Sequence, residues 1–479
     1  MKKVLILSPL GGTENGADIA MNHQMSYLNQ LGYDIHLITT APNTSTFSEF
    51  LKQNRIKHYL LDYTWWRDDS LQSSQDAIRN VKAISDIATI IIQEKIDIAV
   101  TNTANIPQLA FAAAFCDIPH LWLVHEFPEG EFAYTLEKYD FISSFSNEIL
   151  TASDVLAEEI TKLSYKIPVH YFYPFTDVSD IVLASSSNTP RIVSVNTVNG
   201  KRKNTDELIR IYEQLKLSFP SLELVITGSI IDKAYYDELK KYISNHHIQD
   251  VSFLDDYTAN WGNVSSSDIF VNTSAMETFS LTIIESLKLG VTTVVADNYA
   301  AKSMLSLGYL SPEDVYELGN ITDAVEKISV KLNHFDLAKQ HTTLLQKKVL
   351  REQSLEKITQ SLVTAIEKYN ENPRKELRYF KQQTIAVVEE LNVRMQVIDE
   401  ERQVLEERLE IINQQGEVFR ERLELIIKKD ELLDEQRSLN MGKDKLLVER
   451  LSIIEEQQEK LAMIEQSIWF KIGKKLRLL

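Results

Sequence analysis

Twice along this chain, short runs of β-branched and aliphatic residues alternate with longer amphipathic stretches, and few folds accept that rhythm. In the first part the runs fall at residues 4–7, 35–38, 96–100 and 121–124, with helical patterns between them at 17–31 and 77–93. Near-continuous apolar runs suit strands buried on both faces. Strands that alternate with helices pair in parallel beneath helices on each side. After a polar stretch from Tyr173-Pro174 to Pro190 the rhythm restarts, with runs at 191–195, 222–227, 251–254, 269–271 and 292–296. The expected fold is α/β, with two Rossmann-like domains at 1–175 and 191–345 joined by a linker at 176–190. Ligands of such sheets bind beyond the carboxyl ends of the strands, here in a cleft between the domains.

Beyond about residue 345 glycine nearly disappears, and Asn370 to Pro373 is the last strong helix breaker. Helices at 346–372 are expected to pack on the two-domain body. From Leu391 an apolar residue recurs every seven, through Ile398, Leu405, Ile412, Phe419, Ile426, Leu433, Leu447, Ile454, Leu461 and Ile468, broken only by Asn440. Four residues on, the row is mixed: Met395, Leu409, Leu423 and Leu451 alternate with Arg402, Gly416, Asp430 and Arg437. The sequence at 407–412 recurs with one change at 421–426 and, varied, at 449–454, whole heptads apart, which is the period of a left-handed supercoil. Residues 373–466 therefore read as a self-associating coiled coil, with a solvated single helix as the alternative. The tip, 467–479, mixes Trp469, Phe470 and Ile472 with Lys471, Lys474, Lys475 and Arg477. That mix suits an anionic membrane surface, or packing on a neighbouring chain.

Most of the net charge of −18 lies ahead of residue 374, which argues against nucleic acid as a partner. No apolar stretch approaches the roughly 18–20 residues that span a bilayer. The run behind Met1-Lys2-Lys3 is also too short for a secretory signal. The single cysteine, Cys116, leaves no disulfide framework and no cysteine-rich zinc site. The expected location is the cytoplasm, with the tip holding the chain at the inner face of the plasma membrane if it binds lipid.

Residues 267–290 carry the chemistry. They read as a strand, a polar turn and a helix closed by Gly290, so the turn offers backbone N–H groups to an anion at a helix start. Glu277 sits in the turn and Glu285 about two helical turns on, so both can face one ligand. Carboxylates suit sugar hydroxyls while the N–H groups take phosphates. Two ordinary surface glutamates would show the same spacing.

The whole stretch resembles the donor-binding signature of the GT-B retaining glycosyltransferases (family 4-like, group 1), which include sucrose synthase and many bacterial glycan-building enzymes. Ser274, Glu277, Phe279, Glu285 and Gly290 match that signature, and Ser280 stands where the family has glycine. The resemblance implies that Glu277 contacts donor-sugar hydroxyls and Glu285 the nucleotide ribose. It also implies that backbone from Phe279 through Ser280 and Leu281 to Thr282 holds sugar and phosphate. Residues 191–209 are similar to the family's strand, turn and lysine-bearing helix start. Lys203 falls on the lysine that neutralises the donor diphosphate. The family's arginine position is Thr197, and Arg202 next to Lys203 is the candidate substitute; a solvated basic loop at Lys201 and Arg202 is the other reading. Gly228, in Thr227-Gly228-Ser229, occupies the family's next glycine turn.

Gly11-Gly12, after the first strand, resembles the family's loop facing donor and acceptor. His125, after the strand at 121–124, falls where the family places a histidine near the reaction centre. Glu126 and Glu129 are secondary candidates for acceptor contacts. The resemblance implies transfer of a sugar from a nucleoside-diphosphate sugar to a hydroxyl of a glycan or lipid-linked acceptor. Retained configuration, no metal and no separate cofactor are expected, with a role in bacterial cell-surface polysaccharide synthesis. A catalytically silent GT-B scaffold and a GT-B nucleotide-sugar epimerase fit the same fold. The coiled coil lies outside the resemblance.

Overall fold

The first strand shows why the sequence reads as it does. In the computed structural model Val4, Leu5, Ile6 and Leu7 are all fully buried. Val4 and Ile6 face one apolar cluster, with Met21, Met25 and Leu28. Leu5 and Leu7 face another, with Ile87, Ile91 and Leu109. Alternate side chains serve opposite cores, so the run stays apolar throughout. Each such burial contributes about 1.5–3 kcal/mol. The structure describes residues 2–12, 16–40, 44–66, 73–128, 136–163, 166–186, 189–200, 202–255, 261–372, 375–466 and 468–475.

The first sheet holds β1 (Lys3–Leu7), β2 (Asp34–Thr39), β3 (Lys57–Leu60), β4 (Ile98–Thr101), β5 (His120–Val124), β6 (Glu148–Thr151) and β7 (Val169–Tyr171). Its order is β3-β2-β1-β4-β5-β6-β7, parallel throughout. The second sheet holds β8 (Arg191–Val195), β9 (Glu223–Thr227), β10 (Val251–Leu254), β11 (Ile269–Asn272), β12 (Thr292–Ala296) and β13 (Val315–Tyr316). Its order, β10-β9-β8-β11-β12-β13, repeats the scheme, again in parallel. In each sheet the order reverses between the first and fourth strands, β1 with β4 and β8 with β11. Such reversals open a crevice at the strand ends.

The two domains touch at several points. The Phe127 ring stacks on Tyr299 with centroids 3.6 Å apart. The Asp154 carboxylate accepts hydrogen bonds from Ser303 and Ser306, and Lys288 Nζ reaches the linker, donating to the Thr176 carbonyl at 2.6 Å.

Position 345, expected to end the second domain, lies inside the helix Phe335–Glu352. Val349 of that helix belongs to the core around Phe279 and Ile283. The next helix, Leu355–Lys368, returns to the first domain and places Leu362, Ala365 and Ile366 in its core. Lys2 Nζ donates to the Ile366 carbonyl at 2.7 Å, and Lys368 pairs with Glu148 at 2.7 Å. The expected 346–372 segment is therefore shared between the domains, because its two amphipathic helices cover different sheets.

Residues 393–479 form a unit of their own. The helix Lys375–Gln466 runs for 92 residues, followed by Ile468–Lys475. The heptad row from Ile398 to Leu461 is exposed along its length. No described helix is long and apolar enough to cross a membrane. Ser467 and residues 476–479 of the tip lie outside the described residues.

Candidate active site

β8 and β11 end side by side at the second sheet's reversal point, and the turns beyond them are laced together. Ala275 N donates to the Arg202 carbonyl at 2.9 Å, and the Thr273 hydroxyl donates to the Asn204 carbonyl at 3.0 Å. This lacing brings Lys203 against Glu277, where Nζ and Oε1 form an ion pair with side chains only 13% and 11% exposed. Burial pushes the Glu277 carboxyl up, but the Lys203 and Arg202 charges outweigh it and hold it below the ordinary carboxylate range. Lys203 Nζ also lies 3.4 Å from Asn196 Oδ1.

The backbone around this pair is tightly specified. At Gly228, with φ of +140°, a Cβ would lie 2.3 Å from the Asn196 carbonyl oxygen, so only glycine lets the turn after β9 approach there. Ser274 N donates to Asn272 Oδ1 at 3.0 Å, and the Ser274 carbonyl accepts from Asn298 Nδ2 at 2.7 Å. The Phe279 side chain is core, stacked on Tyr173 at 5.0 Å, so only its backbone belongs to the turn. Ser280 precedes the helix Leu281–Lys288 with φ 62° and ψ 97°, a conformation that favours glycine. The helix begins with Leu281 and Thr282, and the first amides of any helix lack intrahelical acceptors.

Glu285 is gripped at both oxygens. The Thr176 hydroxyl donates to Oε1 and the Trp261 indole N–H to Oε2, each at 2.7 Å. Thr176 is itself held by Lys288, which sits over the Phe175 ring at 4.2 Å. Burial pushes the Lys288 amine down to about 8, against the pull of Asp177 and Glu285. None of these partners carries a local sequence signal, because they come from the linker and from a distant turn.

In the first domain, His125 Nε2 lies 2.8 Å from Asn102 Oδ1. Asn102 Nδ2 donates to Ser8 Oγ at 3.2 Å and to the Ala17 carbonyl at 3.3 Å, so Oδ1 is its acceptor end. That assigns the proton to His125 Nε2. Burial pushes His125 down to about 4, so the ring is neutral at pH 7. The Gly12 carbonyl accepts from Asn22 Nδ2 at 2.7 Å. A Cβ built on Gly16, at the other end of that loop, would stand 3.4 Å from Leu281 of the second domain. Gly16 thus faces Leu281 at the helix start.

Glu126 turns inward. Its carboxylate accepts from Thr103, from the Ala104 and His125 amides at 3.0 Å, and from Asn105 Nδ2 at 3.1 Å. It fastens the loop after β4 rather than offering oxygens to an acceptor. Glu129, Lys201 and residues 13–15 lie outside the described residues. Among the described residues, no three or more His, Cys, Asp or Glu side chains gather as a metal would require.

Two Rossmann-like domains with a strand-end site in the second define the GT-B glycosyltransferase architecture. Residues 178–335, most of the second domain, match the family described as glycosyl transferases group 1. No curated protein matches the sequence. Among solved structures, a glycosyltransferase from Rickettsia africae is 17% identical, with TM-score 0.60, covering 77% of this chain and 98% of that one. The Anabaena protein HepE, solved in complex with UDP and glucose, is 15% identical, with TM-score 0.61 over 77% and 100%. Sucrose-phosphate synthase from Thermosynechococcus elongatus is 13% identical, with TM-score 0.61 over 77% and 99%. At these identities the likeness is one of fold.

Proposed function

We propose that this protein transfers a sugar, with retention, from a nucleoside-diphosphate sugar to a hydroxyl of a glycan or lipid-linked acceptor. The observation that carries this reading is the Lys203–Glu277 pair at a helix start, inside the segment that matches group 1 transferases. In this reading the donor diphosphate lies over the amides of Leu281 and Thr282 and draws Lys203 toward itself. Arg202 adds charge beside it. Glu277 accepts hydrogen bonds from sugar hydroxyls, and Glu285 from the ribose. The bond from sugar C1 to the phosphate oxygen breaks with its electron pair on the phosphate. The acceptor oxygen then bonds to C1, and its proton passes to the departing phosphate on the same face. Lys203 and the helix start stabilise that growing charge, the kind of fixed electrostatic help that contributes most to such steps. Neutral His125 serves as a hydrogen-bonding group near C1, and no step needs a metal.

The role that fits is bacterial cell-surface polysaccharide synthesis. The long helix self-associates, and the basic, aromatic tip rests on anionic lipid near a membrane-borne acceptor. The test is to incubate the full chain with a panel of sugar nucleotides and hydroxyl acceptors, identify products by mass spectrometry and read their anomeric configuration by NMR. A glycoside of retained configuration is expected. Donor binding with neither transfer nor hydrolysis would sink the reading, and inverted product would sink retention. Flotation with anionic vesicles tests the tip: failure of the intact chain to float at low salt would remove the membrane from the proposal.

A further inference from the structure

The long helix carries two apolar rows, the first from Val397 and the second, the heptad row described above, from Ile398. Every seventh residue from Val397 to Ile453 is Val, Ile or Leu, and each is between 45 and 67% exposed in the single chain. One residue on, the row from Ile398 to Leu461 is exposed to the same degree apart from the Asn440 break. At 3.5 residues per turn these rows stand about 100° apart, wider than the seam of a two-stranded coiled coil.

The charges on either side of the first row are ordered. Three residues after its members come Glu400, Glu407, Glu421, Glu435, Glu449 and Glu456, with Lys428 the one cation among them; four residues after come Arg408, Arg422, Lys429, Lys443 and Arg450, with Glu401 the one anion. The first row therefore runs between an acidic edge and a basic edge, each about 50° away. When two such helices pack in parallel, the acidic edge of one follows the basic edge of the next. Antiparallel packing sets like against like. The second row lies beyond the basic edge and needs a different neighbour.

We infer that this segment binds further copies of this chain, forming a parallel bundle of three or more helices in which each uses both rows. The inference rests on the self-association reading and adds orientation and a minimum number. A specific interface draws about 800 Å² from each partner. Side chains of this kind each bury on the order of 60–120 Å², so one full row with its flanking stems approaches that area.

Light scattering on the full chain is expected to give three copies or more. A monomer overturns self-association itself, whereas a dimer overturns the bundle and leaves self-association standing. Ile411→Gln with Leu425→Gln strikes the first row, and Ile412→Gln with Ile426→Gln strikes the second. Either pair should lower the copy number while the two-domain body keeps its own unfolding midpoint, and an unchanged copy number for either pair overturns the use of both rows. In a Cys116→Ser background, Ile453→Cys should link copies on mild oxidation, because parallel helices set this position beside itself. Copies that associate but never link overturn the parallel order.

Discussion

Lys203 and Glu277 come from turns 74 residues apart in sequence, and each is the other's direct ionic partner in a nearly closed space. Removing Glu277 leaves Lys203 without its ionic partner, and removing Lys203 leaves Glu277 with only the Arg202 charge to offset its burial. Lys203→Met and Glu277→Gln should each destabilise the protein by about 3 kcal/mol, the low end for breaking a buried pair. The double variant should recover most of that loss yet transfer no sugar. Denaturant midpoints set beside turnover rates make the check, and a double variant that keeps near-normal activity refutes the site.

Ser280 holds a backbone conformation costing on the order of 1–3 kcal/mol for a residue with a Cβ. Ser280→Gly should therefore stabilise the protein, by about 1 kcal/mol once the greater freedom of unfolded glycine is subtracted. Thermal unfolding measures this, and a lowered midpoint would mean that the hydroxyl contributes more than the strain costs.

Trp261 lies outside the matched signature, yet it orients Glu285 at 2.7 Å. Trp261→Phe keeps the bulk and removes the donor. The expected outcome is a KM for the donor raised roughly ten-fold or more with kcat little changed, since a hydrogen bond to a charged group contributes about 1.5–3 kcal/mol. Steady-state kinetics at saturating acceptor separates the two constants; a fall in kcat alone would count against a binding role.

Burial holds His120 down to about 3 and His125 to about 4, below the ordinary 6.5. Between these limits the unfolded chain takes up protons that the folded chain refuses. Stability is then complete above about pH 6.5 and falls as the pH drops, at up to about 1.4 kcal/mol per unit for each histidine. Glu126, raised by burial, titrates with the opposite sign. Urea midpoints from pH 7 to 5 should decline, and the decline should shrink in His120→Asn. A flat profile in both proteins would contradict the burial account.

Much of the fold was legible because its central strands are buried on both faces. β8 and β12 begin and end where their apolar runs do. β3, a sheet edge reading Lys-His-Tyr-Leu, gave no such run. β6 hides a glutamate, Glu148, paired with Lys368 from more than 200 residues away. At the site, Lys203 and Glu277 stood out through the resemblance carried by two short stretches of sequence, and folding sets them side by side. Thr176 and Trp261 on Glu285, and Asn102 on His125, did not, because folding alone brings them together. A boundary at 345 cuts the helix Phe335–Glu352, because helical periodicity does not say which sheet a helix will cover.

The return of the helix Leu355–Lys368 to the first domain has a consequence for synthesis on the ribosome. The first sheet has all its strands by residue 171, but one wall of its core waits for Leu362 and Ile366. Until those residues leave the exit tunnel, Met21, Met25 and Leu28 lack part of their cover, whatever the second domain has done. Two halves cut at the linker would not be two independent proteins: the first would lack its wall, and the second would carry an unclaimed greasy helix.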